Sequence, residues 1–121
     1  MSLSQTLTVF HLTQDLMAAA QVRAWTGQQG GTYRMFPSLE QLKDFPTDSY
    51  VDLLAIDLQL QQLDLSALTA WCSVRKQAGQ LSKVTCYAQH VEESLLATAR
   101  QFGFDSVLTR GQFIRSLAPR S

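Results

Sequence analysis

Apolar positions along the chain fall into two alternating rhythms. Short runs rich in β-branched and aromatic residues occur at Leu7–Leu12 (LTVFHL), Thr32–Phe36 (TYRMF), Val51–Leu58 (VDLLAIDL), Lys83–Ala88 (KVTCYA) and Phe104–Thr109 (FDSVLT), and turn-forming or polar residues bound most of them. They predict strands. Between them the apolar spacing is helical: Leu16, Ala20 and Ala24; Leu39, Leu42 and Phe45; Leu65, Leu68, Trp71 and Val74; Val91, Leu95, Ala99 and Phe102. Phe113, Ile114 and Leu117 predict a short last helix over residues 112–118, because Pro119 cannot continue it. Repeated strand–helix alternation implies parallel strands joined by right-handed crossovers, a three-layer, doubly wound α/β sheet covered by helices on both faces.

Local signals agree with these boundaries. Ser38 with Gln41 three residues on forms a capping box, in which each side chain satisfies an orphan backbone N–H at a helix start. Gly30-Gly31, Gly79 and Gly103 sit where three of the helices should stop. The run Leu53–Ile56 is apolar without alternation, as expected of a strand buried on both faces at the centre of a sheet.

Composition narrows the class. The chain's 121 residues, 45% hydrophobic and 17% charged, suit one compact domain over residues 1–121. Ten Lys+Arg balance ten Asp+Glu, and the arginines are dispersed, so no global field draws the chain to nucleic acid or to an anionic membrane. No apolar run approaches a membrane span, and MSLSQTLTVF lacks the layout of a signal peptide; a cytoplasmic location is the expectation. Cys72 and Cys86 form no CxxC and read as core packing. His11, inside the first strand, reads as a satisfied core residue, and His90 as exposed. No glycine-rich loop, GxSxG or P-loop is present, so nothing indicates an enzyme.

In open α/β sheets, ligands gather outside the carboxyl ends of the strands. The residues expected there are Leu12 to Asp15, Asp57 to Gln59, Tyr87 to His90 and Thr109 to Gly111. Asp57 stands out as an acid directly after the buried apolar run; the plainer alternative is that it only accepts loop N–H bonds.

The segment DLLAIDLQLQQLDL resembles the third-strand region of response-regulator receiver domains, with Asp52, Asp57, Leu58, Leu60, Leu63 and Asp64 in place. The ending RQFGFDSVLTRGQF is similar to that family's closing motif at Gly103, Phe104, Leu108 and Phe113. The resemblance covers essentially the whole chain and implies a flavodoxin-like fold of five strands in the order 2-1-3-4-5. In that family a histidine kinase passes a phosphoryl group to the strand-three Asp, here Asp57. An acidic pair after strand one helps to hold Mg²⁺, a Ser/Thr after strand four hydrogen-bonds the phosphoryl group, and a Lys followed by cis-Pro lies after strand five.

Carried across residue by residue, most of this constellation changes. The acidic pair maps onto Leu12 and Thr13, or in another register onto Gln14 and Asp15, with one carboxylate at most. The Ser/Thr position is Tyr87, followed by Ala88; the Lys position is Arg110; Gly111 replaces the Pro; and Gln61-Gln62 stand where Pro-Gly is usual. A degenerate pseudo-receiver is the resulting expectation, with no cofactor and no Mg²⁺ site. Asp57 then either pairs with Arg110, mimicking one fixed signalling state, or is solvated at the loop rim. The expected activity is regulation through a protein partner or a homodimer, on the face of helix four, strand five and helix five, with Phe113, Ile114 and Leu117 partly exposed. The alternative is an atypical phospho-accepting receiver served by a histidine kinase.

Overall fold

The structure, a computed structural model, describes residues 7–46 and 49–117. Its elements run β1 (Thr8–Leu12), α1 (Leu16–Gln28), β2 (Thr32–Phe36), α2 (Leu39–Asp44), β3 (Val51–Asp57), α3 (Leu65–Gln77), β4 (Leu81–Ala88), α4 (Glu93–Gln101), β5 (Ser106–Thr109) and α5 (Arg110–Ser116). The five strands form one parallel sheet in the order β2-β1-β3-β4-β5, as the resemblance implies. Asp57 ends the central strand at its carboxyl edge.

Side chains alternate across the sheet and divide the core in two. Phe10, Leu12, Leu54, Ile56 and Cys86 face α2, α3 and α4, meeting Leu42, Leu68, Cys72, Leu96 and Ala99. Val9, Ala55 and Tyr87 face α1 and α5, meeting Val22, Phe113 and Leu117. Both cysteines are buried and free; burial pushes the Cys72 thiol up to about 12 and the Cys86 thiol higher, so both stay protonated and inert.

Each helix start is satisfied by an identifiable group except that of α4, which has no side-chain cap. Asp15 caps α1, Ser38 caps α2, Asp64 caps α3, and Thr109 with Gln112 forms a reciprocal capping box on α5. At the Ser38 end only half of the expected box forms: the Gln41 N–H donates to the Ser38 hydroxyl, and the Gln41 side chain does not return a bond to the Ser38 N–H.

Several expectations are corrected. On α1 the buried residues are Ala18, Ala19, Val22 and Thr26, whereas Leu16 is 74% exposed and Ala20 and Ala24 face outward. The small Ala18 and Ala19 let the helix lie close to the sheet, so the inward stripe follows them and not the larger Leu16. Cys72 takes the inward place on α3 and leaves Val74 exposed; Val91 precedes α4 and is also exposed, while Leu96 turns inward. Leu53 is half-buried. The last helix starts at Arg110 because the Thr109 box nucleates it two residues early; Ala118 lies outside the described residues. Phe113 and Leu117 are buried against Tyr87 and Val9, so they are core and not interface, and only Ile114 of that trio keeps part of its surface.

Candidate functional site

Loops at the carboxyl edge enclose a polar cleft of about 280 Å³ lined by Gln14, Asp15, Asp57, Gln59, Gln89 and Arg110. Asp57 reaches it from the end of β3 and is 8% exposed. Its Oδ2 accepts the Thr13 hydroxyl at 2.8 Å, and its Oδ1 accepts the Gln59 backbone N–H at 3.0 Å. Gln59 in turn accepts the Gln89 N–H, tying the β3 loop to the β4 loop.

Arg110 does not pair with Asp57. Its guanidinium donates to Asp15 Oδ2, while Asp15 Oδ1 accepts the Met17 and Ala18 N–H groups of the α1 start. Burial works against the Asp15 carboxylate, but the Ala18 amide, Arg110 and the Met17 amide outweigh it and hold its carboxyl below the ordinary range. The reason for the partner choice is geometric. Arg110 opens α5 on the sheet face that α1 covers, where Asp15 caps α1, whereas the Asp57 carboxylate already accepts Thr13.

Of the other expected pocket residues, Thr13 is brought in, fully buried, with its hydroxyl on Asp57 and accepting the Asp15 N–H at 3.0 Å. Leu12 and Ala88 point instead into the core beneath α2, α3 and α4. Tyr87, in register with Asp57, turns beneath α5 and stacks on Phe113 with centroids 4.4 Å apart and an interplanar angle of 4°. Its hydroxyl meets His11 Nε2 at 2.7 Å, and His11 Nδ1 meets the Tyr33 hydroxyl at 2.7 Å. Burial, with Arg110 adding and Asp15 opposing, pushes the His11 imidazole down to about 4, so it is neutral at pH 7. Burial raises both tyrosines.

The Tyr33–His11–Tyr87 cluster was not anticipated as a unit. The signal lies in alternation: residues 9, 11 and 13 of the first strand segment share a side with residues 55 and 57, and the registers Val9↔Tyr33 and Asp57↔Tyr87 bring the rings onto it.

The donor set suits a divalent cation poorly. Among the described residues, no group of three or more His, Cys, Asp and Glu side chains could hold a metal ion. The cleft offers two carboxylates; Asp15 is bound by a guanidinium and two amides, and Asp57 by a hydroxyl and an amide. Mg²⁺ keeps several waters and is held through one or two carboxylates, and here both carboxylates already accept from internal donors that a cation would have to displace. No cis peptide bond occurs among the described residues, Arg110–Gly111 included. No helix there is long and apolar enough to cross a membrane.

No family model matches the chain, and no curated relative matches it. Solved structures do. The receiver domain of the TMAO respiratory response regulator TorR superposes with a TM-score of 0.73 at 17% identity, over 92% of this chain and 89% of that one. The receiver domain of Ssk1, in co-crystal with the histidine phosphotransfer signalling protein Ypd1 of Saccharomyces cerevisiae, gives 0.68 at 14% identity, over 90% and 81%. The beryllofluoride-activated NtrC4 receiver domain dimer gives 0.67 at 11% identity, over 91% and 92%. The chain has the flavodoxin-like fold of response-regulator receiver domains.

Proposed function

We propose that this chain is a receiver-like regulatory domain that works by binding another protein at the carboxyl edge of its sheet, with its cleft held in one state and not switched by phosphorylation of Asp57. The observation that carries this reading is the pairing in the cleft: Arg110 occupies Asp15, and the Thr13 hydroxyl occupies Asp57. Phosphoryl transfer to a carboxylate brings a dianion beside anions and needs a metal to offset the repulsion. Here an internal guanidinium compensates the charge on Asp15, and the Asp57 oxygens accept from the Thr13 hydroxyl and the Gln59 amide.

The docking surface we favour shares α5 and the end of β5 with the expected face of α4, β5 and α5, and turns from there toward α1. A groove of about 900 Å³ beside the cleft is lined by Met17, Val91 and Ile114 together with His90, Arg110 and Arg115. Met17 and Val91 are exposed large apolar residues, and Ile114 adds its uncovered edge. Apolar surface edged by the Arg115 guanidinium suits a protein partner with apolar and acidic side chains. The co-crystal of the Ssk1 receiver with a phosphotransfer protein and the NtrC4 receiver dimer support protein partners for this fold. Binding without turnover requires no cofactor.

The test is addition of beryllofluoride with Mg²⁺, or of a small phosphodonor, to the ¹⁵N-labelled protein. The amide shifts of Thr13, Asp57, Gln59 and Arg110 are expected to stay unchanged. Saturable shifts that vanish in Asp57→Asn would establish the other reading, a phospho-accepting receiver with an unusual pocket served by a histidine kinase.

A further inference from the structure

We propose that the outer edge of β2 takes up an extended segment of another protein as an added strand, one in which apolar and acidic side chains alternate, the apolar ones entering the groove between β2 and α1 and an acidic one facing Arg34. This surface lies on the flank of the sheet, apart from the cleft and the groove beside it, and the proposal does not depend on the binding reading given above.

The backbone of β2 supplies the first half of the argument. β2 is a terminal strand, paired to β1 on one side only. The Thr32 N–H donates to the Leu7 carbonyl at 2.7 Å, and the Phe36 carbonyl accepts the Thr13 N–H at 3.0 Å, so residues 32 and 36 turn their polar groups toward β1. That direction alternates along a strand, which turns Arg34 the same way and leaves the N–H and C=O groups of Tyr33 and Met35 pointing away from the sheet. These groups are open to pairing with another strand. Natural edges are commonly blunted by a lysine, a proline or a bulge. Here the register from Thr8↔Thr32 to Leu12↔Phe36 is unbroken, and proline enters only at Pro37, beyond the strand.

The side chains supply the second half. Those of Tyr33 and Met35 line a groove of about 810 Å³ with Leu16, Ala20 and Ala24, so the leucine that the core leaves exposed forms part of its wall. Arg23 and Arg34 line the groove too, and among the described residues no acid does, in a chain of zero formal charge. Neither guanidinium meets a carboxylate among the described residues; that of Arg34 lies 4.6 Å over the Phe45 ring, on the face of β2 away from α1. Residues directly opposite one another on neighbouring strands put their side chains on the same face. A segment bonded to Tyr33 and Met35 therefore sends the two side chains opposite them into the apolar groove and the one between them toward Arg34. Charge selects an acid at that middle place. A second copy of β2 suits the edge poorly, because antiparallel pairing about Arg34 would set two guanidinium groups opposite each other. In strand addition of this kind the main-chain bonds give affinity, and the alternate side-chain places give selection.

The probe is a capped peptide in which valine and glutamate alternate, added to the ¹⁵N-labelled protein, with amide hydrogen exchange as the readout. In the free protein the Tyr33 and Met35 amides should exchange much faster than those of Thr32 and Arg34, which point to β1; slow exchange at both outward amides overturns the proposal. The peptide should slow exchange at Tyr33 and Met35 saturably and leave Thr32 and Arg34 as they were, and absence of that pattern counts against the proposal equally. A peptide alternating valine and lysine should bind about tenfold more weakly, and Arg34→Glu should reverse the preference; a variant that still prefers glutamate sinks the charge argument and the proposal with it. Met35→Pro takes away one outward N–H, a change that edge strands tolerate, and should abolish binding in a chain folded by circular dichroism. Retained binding in that variant overturns the proposal, and if the variant does not fold, the Arg34→Glu reversal decides. Self-association that Met35→Pro abolishes, seen by sedimentation, would give the edge to a second copy instead. Met17→Asp, in the groove beside the cleft, should bind the peptide normally, so that failure of one surface is read apart from failure of the other; loss of binding there would put the peptide in the wrong groove.

Discussion

Gln62 carries a backbone φ of 59°, in the left-handed region where a side chain crowds its own carbonyl. It stands in the β3–α3 loop, at one of the two positions where receiver domains usually have Pro-Gly, and its side chain is exposed. Gln62→Gly should therefore raise stability by about 0.5–1 kcal/mol, the strain relieved exceeding the extra chain entropy of glycine, as read from the urea midpoint. Asp15 separates two roles at one residue. Its Oδ1 caps α1 and its Oδ2 pairs with Arg110, the pair being about one-third exposed. Asp15→Ala should lose about 0.5–2 kcal/mol with the cap. Asp15→Asn should lose less than the alanine variant, since an amide oxygen still caps and partly exposed pairs contribute little. Equal losses in the two variants, measured by urea titration at pH 7, would move the weight from the cap to the charge.

Between elements, a few side chains join segments distant in sequence. Asp105, just before β5, accepts both the Val84 N–H of β4 at 2.7 Å and the Lys76 ammonium at the end of α3. Burial opposes its ionisation, and those donors hold its carboxyl below the ordinary range nonetheless. Asp105→Ala should cost about 1–3 kcal/mol, mainly from the Val84 N–H left without its acceptor, and should speed amide exchange at Val84. The α1–β2 turn is tight for a different reason. A Cβ on Gly31 would strike the Leu7 carbonyl oxygen, which accepts the Thr32 N–H where β2 begins to pair with β1. Gly31→Ala should destabilise by about 1–3 kcal/mol, whereas Gly111→Ala, whose Cβ meets only the Arg115 guanidinium at 3.5 Å, should fold normally.

For the whole molecule, acid stability turns on His11. Its folded-state value of about 4 lies below the ordinary 6.5, so the unfolded chain binds the extra proton first. Stability should be full above pH 6.5, fall as the pH drops from 6.5 toward 4, and lose about 2–4 kcal/mol over that window. Below it, Asp15 and Asp105, both lowered, extend the loss as they protonate. His11→Gln should flatten the dependence of the urea midpoint between pH 6.5 and 4; an unchanged slope would mean that another group carries it. The proposed docking groove is tested at the same scale. Met17→Asp and Val91→Asp alter exposed side chains and should leave the fold intact by circular dichroism while abolishing association with the partner.

The alternation of strands and helices, most element boundaries to within two residues, and the place of Asp57 at the mouth of the central strand were legible in the sequence. Each depends on local chemistry: periodicity, caps such as Ser38, and an apolar run ended by an acid. Which face of α1 turns inward was not legible, because Leu16 and Ala18 both fit a helical period, and only the closeness of helix and sheet selects the alanines. The interior position of Phe113 and Leu117 likewise followed from how α5 seats on Tyr87. The partner of Arg110 is 95 residues away at Asp15, and the partner of Thr13 is 44 residues away at Asp57. Such pairings depend on strand register and on which side of the sheet each alternating residue takes. Those are set when distant segments pack against one another, so the tertiary structure alone decided which charges meet in the cleft.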